Sequence, residues 1–560
     1  MTYKDIYLRN RQLYNVLLKG EDGISNKSRT ISRKKTSNIK WTELEHNGVM
    51  FYPNYVPHNI PIKYDNEEIH LNVSAEEFAT LYVQPRYDKY KNDKFKKNFF
   101  RDWKKLLSDD LKKKIVDFNK CNFDEIKEHS IKNKSVIKFE DKEKYAYAMV
   151  DGTKQTIDNY LVEPPSIFVG RGNHPLIGSI KTRIVYEDVI LNIGHNMKVP
   201  VVYNSDGTQA QWNKIISDNT LEWIACWPNN VTHKYNYARF GRKSIFKMKS
   251  DEAKFDKARM LKKKINKIRT KNEENMKSSD KVYQQLATAL YLIDKLALRI
   301  GNEKTEDEAD TVGITTLKIK NVSLLDNFVI KFDFLGKDSI RYVNKFKVSE
   351  IVYNNIKSFY EDNKSNNDDL FDLIDADKLN KYIKKFMKNL TSKVFRTFNA
   401  SYLMQIELKK ITNKYATYDK PDRLQRIVHE YEMANLKVAK LCNHQRQVSS
   451  SSTKQTDKIN EQIKVLQSKI GSLKRKSNKT EAITRRINAM SLKLKNYKNK
   501  KTKMIEGKTL SGSTSKTNYI DPRITVAFVK MNGLEIEKFF NKAHLDTFKW
   551  ATVVDENFKF

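Results

Sequence analysis

Apolar positions along this chain change their spacing from region to region, and each spacing predicts a kind of element. Between Lys40 and about Met248, short strand-like runs alternate with turn residues and with basic-aromatic stretches. In "FKKNFFRDWKK" (95–105), Phe99, Phe100 and Trp103 fall on one helical face with Lys and Arg on the other, which predicts an amphipathic helix. From about Ser250 to Val448 the period becomes mostly helical. "SSDKVYQQLATALYLIDKLALRIGNEK" carries Leu286, Leu290, Ile293, Ala297 and Ile300 at helical spacing. Ser278, Ser279 or Asp280 can cap its start, and Gly301 can end it. One interruption alternates with period two: Ile330, Phe332 and Phe334 against Lys331 and Asp333, then "LGKDS" turns the chain. That predicts a β-hairpin with Lys337 at its tip.

A different rhythm begins after "SSSST" (449–453). Ile459, Ile463, Leu466, Ile470 and Leu473 follow a 4-3-4-3 spacing, and after "KRKSNKT" Ile483, Ile487, Met490, Leu494 and Tyr497 repeat it. Two short heptad helices with a polar break predict an antiparallel coiled-coil hairpin. The C-terminal stretch "SKTNYIDPRITVAFV", with Tyr519 in it, is tethered to the body through this arm.

Composition adds a partner. Over 560 residues, a length that suggests about three or four domains, 105 Lys+Arg face 68 Asp+Glu, a net charge of +37. Self-repulsion of that size favours a chain that works against a polyanion, and nucleic acid is the natural one, because neutralised phosphates release counterions. An anionic membrane fits less well: the N-terminus "MTYKDIYLRNRQ" is charged from the start, no run of about 18 apolar residues occurs, and residues 1–38 read as a basic, solvated tail. Cys121, Cys226 and Cys442 are few, odd in number and far apart, which argues for a reducing compartment and against a disulfide framework or a zinc ribbon. No G-x-x-x-x-G-K-[ST] loop and no H-E-x-x-H occurs, so neither ATP nor a protein-held zinc is expected.

Tyr519 is one of 28 tyrosines, and its position alone does not make it a nucleophile. A phenol with a pKa of about 10 is protonated at neutral pH. To attack a phosphodiester it needs fixed cations for the charge growing on the phosphoryl oxygens, a donor for the departing sugar oxygen, and an in-line hold on the phosphate. Arginine suits the first and third tasks, and lysine or histidine the second. Arg299, Lys337, Arg396 and His444 are candidates, each with an ordinary reading beside it. Arg299 ends a helix where the dipole favours any cation, and Lys337 is a polar turn residue. Arg396 is a solvated helix arginine, and His444 closes a helix C-terminus. Periodicity does not show that they converge.

Eight motifs, in one order, carry a resemblance: "KWTELEHNGVMF" (40–51), "KNFFRDWKK" (97–105), "EPPSIFVGRGNHPLIG" (163–178), "YLIDKLALRIGNEK" (291–304), "FDFLGKDSIRYVNK" (332–345), "SKVFRTFNAS" (392–401), "LCNHQR" (441–446) and "SKTNYIDPRITVAFVK" (515–530). With them the chain resembles the eukaryotic-type DNA topoisomerase I (type IB) family from about residue 40 onward. The resemblance implies an enzyme that cuts one strand of duplex DNA through a 3′-phosphotyrosine, lets the broken end rotate and reseals it, relaxing positive and negative supercoils. No ATP or essential metal is implied, although a divalent metal can stimulate. By motif, Tyr519 is the nucleophile, Arg299, Arg396 and His444 hold the scissile phosphate, and Lys337 is the general acid for the 5′-oxygen. Arg171, Asp338 and Asn518 match positions that contact DNA and camptothecin-type inhibitors, and His174 joins them as a DNA-binding residue. The implied fold is mixed α/β and helix-rich: a bilobed clamp, closed around DNA by a monomer. Its parts are a cap lobe (39–249), a mostly helical, tyrosine-recombinase-like catalytic core (250–448), a coiled-coil linker (449–508) and a small C-terminal domain (509–560). Nuclear localisation is expected for a cellular source, and a virion or host compartment for a large DNA virus.

The pattern departs from the family in three places. The charged N-terminal region is represented by residues 1–38, Leu176 stands where the family carries lysine in the "NHPLIG" segment, and the linker is short. Two rivals remain. A tyrosine recombinase would present the second arginine as H-x-x-R, whereas this chain has Lys393-Val-Phe-Arg396 and an arm before the tyrosine. A non-catalytic DNA-binding protein on the same fold would not need all five reactive positions filled.

Overall fold

The computed structural model describes residues 39–133, 139–302, 311–361, 365–445, 450–475 and 480–560, so the basic tail lies outside the described residues. The fold is mixed α/β and helix-rich, and the chain divides at Lys249/Ser250 into two compact units.

The first unit is built on a seven-stranded sheet. Its order is Leu44–His46, Tyr147–Val150, Thr153–Asp158, Tyr235–Phe240, Trp223–Pro228, Ile190–Asn192 and Lys214–Ile216. Neighbours run antiparallel except for the last pair, which is parallel. A second core in this unit forms around the helix Asp93–Leu106, capped by the side chain of Asn92, which accepts from the Phe95 amide at 2.9 Å. The expected apolar stripe is offset by one position. Phe95, Phe99 and Trp103 are fully buried at i, i+4, i+8, while Phe100 is half-buried on the flank, because each residue advances 100° and only the i+4 row stays on one line. The loop carrying Arg171 and His174 docks on this helix through Gly178. Its φ of 92° lies in the left-handed region, and a Cβ there would come within 2.2 Å of the Phe95 carbonyl oxygen.

The second unit holds one large apolar core, with Leu290, Ile293, Phe332, Phe359, Phe395 and Tyr431 among its fully buried members. Helix α1 (Lys281–Leu296) starts where expected, with Asp280 accepting from the Val282 amide at 2.8 Å. It stops earlier than its periodicity predicts. Ala297 takes a left-handed φ of 50°, so Ala297, Ile300 and Gly301 lie beyond the helix. Tertiary pairing overrides the helical period here. The carbonyls of Arg299 and Ile300 accept from the amides of Ile314 and Thr315 at 2.9 and 2.7 Å. Gly301 and Gly313 meet backbone to backbone, where a Cβ on Gly313 would lie 2.3 Å from the Gly301 Cα.

The expected hairpin forms from strands β1 (Val329–Leu335) and β2 (Arg341–Lys347), with Val322–Leu325 as a third strand. Leu335 pairs with Arg341, and a single 3₁₀ turn, Lys337–Ser339, makes the tip. Helices α2 (Ser392–Tyr415) and α3 (Arg423–Leu441) pack on one another and carry most of the remaining core. Helices α4 (Ser450–Lys474) and α5 (Glu481–Glu506) pair with each other. Ile459, Ile463, Leu466 and Ile470 are buried, and Ile483, Ile487, Met490, Leu494 and Tyr497 are half-buried. After the arm come α6 (Gly512–Asn518), followed by Tyr519, and α7 (Pro522–Met531), which begins with Asp521 as its cap and proline in its first turn.

Candidate active site

Five of the sequence-derived residues meet in the second unit, and the helix ends explain how. Helix α3 stops in a left-handed cap. Asn443 has φ 49°, its amide donates to the Lys440 carbonyl at 3.1 Å, and the His444 amide donates to Ala439 at 2.9 Å. This pair of reversed bonds is the usual way a helix terminates through one left-handed residue, a position that Asn tolerates. It turns His444 back into the protein, where only 3% of its surface is exposed.

Arg396, on the first turns of α2, is equally buried. One of its terminal nitrogens donates to the carbonyl of Ala297, just past α1, and the other donates to the carbonyl of Cys442, the cap of α3, at 2.8 Å. The orphan carbonyls at the ends of two helices therefore hold one guanidinium, in the place where helix dipoles favour positive charge. The nitrogen on Cys442 also lies 3.4 Å from Nε2 of His444.

Tyr519 completes the group. Its ring centroid lies 4.6 Å from that of His444, with 39° between the planes, and the guanidinium carbon of Arg396 lies 5.2 Å from the same centroid. Arg299 sits in the irregular segment after α1. Burial and then the charge of Arg396 push its guanidinium below the ordinary arginine value, and the charge and hydrogen bond of the Tyr519 phenol pull it back. Lys337 is exposed at the hairpin tip yet close enough to act on His444. Burial first, then Arg396, Arg299 and Lys337, lower the imidazole to about 3. His444 is thus neutral at physiological pH, within a set of three cations.

The other sequence-derived positions fall as follows. Asn518 is exposed at the end of α6, its side-chain amide donating to the Thr514 carbonyl at 3.2 Å. Asp338 lies in the 3₁₀ turn of the hairpin, and its side chain is outside the described residues. Arg171 and His174 belong to the first unit. Arg171 is exposed in the glycine turn, and His174 is buried with its ring edge-on to Phe168 and its Nδ1 accepting from the Leu176 amide at 3.1 Å.

Three residues at the site carried no signal in the periodicity. Ser401 donates to the Tyr519 carbonyl and accepts from the Asp521 amide, both at 3.0 Å. Ser515 shares a hydrogen bond of 2.7 Å with Nδ1 of His444. Asp521 is fully buried and binds Arg523, whose guanidinium also reaches Asp256 at 2.8 Å. Only the spacing of Ser515, four residues before Tyr519 and hence one helical turn away, could have pointed to it.

Chemically, a phenol beside two guanidiniums, a neutral imidazole and an exposed ammonium is suited to an anionic, multiply oxygenated centre such as a phosphodiester. Among the described residues, no group of three or more His, Cys, Asp or Glu is placed to hold a metal ion, and no helix is long and apolar enough to cross a membrane.

Comparison with known proteins covers the segments that carry these residues. The family model described as the catalytic core of eukaryotic DNA topoisomerase I matches residues 243–477, that of its DNA binding fragment matches 39–240, and a C-terminal topoisomerase domain matches 491–560. DNA topoisomerase 1 of Homo sapiens is 37% identical over 563 residues, covering 93% of this chain and 72% of that protein. DNA topoisomerase 1 of Drosophila melanogaster is 38% identical, covering 94% of this chain, and DNA topoisomerase 1 beta of Arabidopsis thaliana is 39% identical, covering 93%. The chain belongs to the eukaryotic DNA topoisomerase I family. It spans 56% of the length of the Drosophila relative and 59% of the Arabidopsis one.

Proposed function

We propose that this chain is a type IB DNA topoisomerase, relaxing supercoils of either sign without ATP or an essential metal. The observation that carries the reading is the clustering of Arg299 and Arg396 beside the Tyr519 phenol. Arg396 is buried, and its charge lowers the guanidinium of Arg299; two such cations side by side are costly unless an anion offsets them. A DNA phosphate is the anion that a chain of net charge +37 would meet.

In this reading the Tyr519 oxygen forms a bond to phosphorus as the bond to the 5′-oxygen breaks. The phenolic proton leaves to solvent, and Lys337 supplies a proton to the 5′-oxygen. Arg299 and Arg396 hold the charge that grows on the non-bridging oxygens, and neutral His444 donates from Nε2. The reverse sequence reseals the strand, so the bond energy is stored in the phosphotyrosine and no nucleotide is consumed.

Residues 39–249 act as a cap lobe and 250–448 as the catalytic core of a monomeric clamp around duplex DNA. Residues 449–508 form the coiled-coil linker, and 509–560 deliver the nucleophile. Arg171, His174, Asp338 and Asn518 contact the DNA near the break, where a camptothecin-type inhibitor would also bind. A nuclear site of action belongs to the same reading.

The test is relaxation of positively and negatively supercoiled plasmid in EDTA without ATP. Relaxation of both is expected, and failure on either would overturn the reading.

A further inference from the structure

The hydrogen bond between Ser515 and His444 has a consequence for which nitrogen the imidazole offers. Arg396 carries only donors, so its nitrogen at 3.4 Å can satisfy Nε2 of His444 only as an acceptor. In the free chain Nε2 is then bare and Nδ1 carries the proton, donated to Ser515 Oγ at 2.7 Å. A phosphate oxygen is an acceptor and asks for the opposite tautomer, with the proton on Nε2. That leaves Nδ1 bare, and a buried, bare Nδ1 needs a donor. A serine hydroxyl can accept in the first state and donate in the second. Ser515 is fully buried, and water cannot take its place without repacking. The charged groups around the ring, Arg396, Arg299 and Lys337, are all donors and cannot serve Nδ1 in the first state. Ser515 also accepts, through its main-chain carbonyl, from the amides of Tyr519 at 2.9 Å and Ile520 at 3.0 Å. One residue thus holds both the imidazole and the backbone of the tyrosine.

We infer that Ser515 is a positioning residue whose hydroxyl fixes the plane of the His444 ring and satisfies Nδ1 in either neutral tautomer, so that Nε2 is the nitrogen presented to a DNA phosphate. The inference rests on the proposed phosphate-binding role of His444. Moving one proton from Nδ1 to Nε2 by exchange with water leaves the net charge unchanged. The site therefore changes from holding Arg396 to holding phosphate without charging a buried imidazole.

Two measurements on the full chain test it. The first is histidine-selective ¹⁵N NMR of Tyr519→Phe, with and without an intact duplex oligonucleotide, His444 being assigned by loss of its signals in His444→Asn. The proton is expected on Nδ1 in the free chain and on Nε2 with DNA. An unchanged tautomer would overturn the inference. The second is single-turnover cleavage of a suicide duplex. Ser515→Ala is expected to slow adduct formation roughly 10- to 100-fold, the effect of leaving a buried polar group unpaired, with recovery in Ser515→Thr. In a His444→Ala background the same change should cost nothing further. Equal losses in both backgrounds would make Ser515 merely structural and overturn the inference. If the unmodified chain forms no adduct at all, the topoisomerase reading fails while the NMR measurement still decides the role of Ser515.

Discussion

Ser401 grips the backbone on both sides of Ile520: its hydroxyl donates to the Tyr519 carbonyl and accepts from the Asp521 amide, each at 3.0 Å. Ser401 lies five residues after Arg396 on the same helix, α2. One rigid element therefore sets the position of a guanidinium and, by way of a fully buried hydroxyl, the path of the chain that carries the phenol. Ser401→Ala leaves a part-buried carbonyl and a buried amide without partners. Loss of about 1–3 kcal/mol of stability is expected, measured by urea unfolding, together with slower adduct formation at unchanged DNA affinity. Full-rate cleavage in the alanine variant would show that the tyrosine is held by other contacts.

Arg396 joins the ends of two helices before it meets any ligand. Lysine at this position keeps the charge but has one nitrogen in place of a planar fork, so it cannot serve the Ala297 and Cys442 carbonyls and also face a phosphate. Arg396→Lys is expected to lower the single-turnover cleavage rate at least about 100-fold, the scale on which removal of one oxyanion donor acts. It should also lower the melting temperature. Cleavage within a few-fold of the unmodified chain would mean that the bidentate hold is dispensable.

His444 links the site to pH. Its folded pKa is lowered to about 3, against an ordinary value near 6.5, by burial and then by the three cations. Between those limits the unfolded chain binds a proton that the folded chain refuses, so stability falls as the pH drops from about 6.5 toward 3. His46, buried in the first unit and lowered to about 4, has the same sign, so the contribution of His444 must be isolated by difference. His444→Asn is expected to flatten the dependence of stability on pH between 7 and 5 by up to about 1.4 kcal/mol per unit, the limit for one titrating group. Parallel curves for the two proteins would mean that the imidazole is not held neutral.

Much of the scaffold was legible in the sequence, because it follows from local pattern. Ile330, Phe332 and Phe334 alternate and form a strand of the hairpin, with Lys337 opening its turn. Ile459, Ile463, Leu466 and Ile470 keep heptad spacing, and all four are buried. The end of α1 was not legible. Ala297 is a good helix former, and only the pairing of the next residues with Ile314 and Thr315 makes its left-handed turn worthwhile. His444 was legible as a residue at a helix terminus, but its neighbours were not. Arg299, Arg396 and Tyr519 come from segments as many as 220 residues apart, and no periodicity encodes that approach. Ser401 and Ser515 look like ordinary polar helix residues until their partners are seen.

The arm formed by α4 and α5 is fastened to α3 at two carboxylates. Asp422, at the start of α3, receives Lys495 of α5 at 2.6 Å, and Tyr418 and Arg426 at 2.7 Å each. These three donors, Lys495 first, hold its carboxyl well below the usual carboxylate range. Three turns further on, Glu432 receives Lys503 of α5 at 3.1 Å and lies 3.6 Å from Lys516, three residues before Tyr519. The second carboxylate thus touches both the arm and the helix that leads to the tyrosine. Asp422→Asn keeps the shape and removes the charge, so the arm should loosen at its outer attachment while the inner one stays. Faster amide exchange is expected across the first half of α5 and little change near Lys503. Since a folded pKa that is depressed stabilises only above it, the attachment should also weaken as acid protonates Asp422, and high salt should weaken it at neutral pH by screening the Lys495 pair. The double change Asp422→Asn with Glu432→Gln should then free the whole of α5 and raise the rate of strand rotation, read in single-molecule relaxation. Exchange and rotation both unchanged in the double variant would mean that apolar packing alone holds the arm.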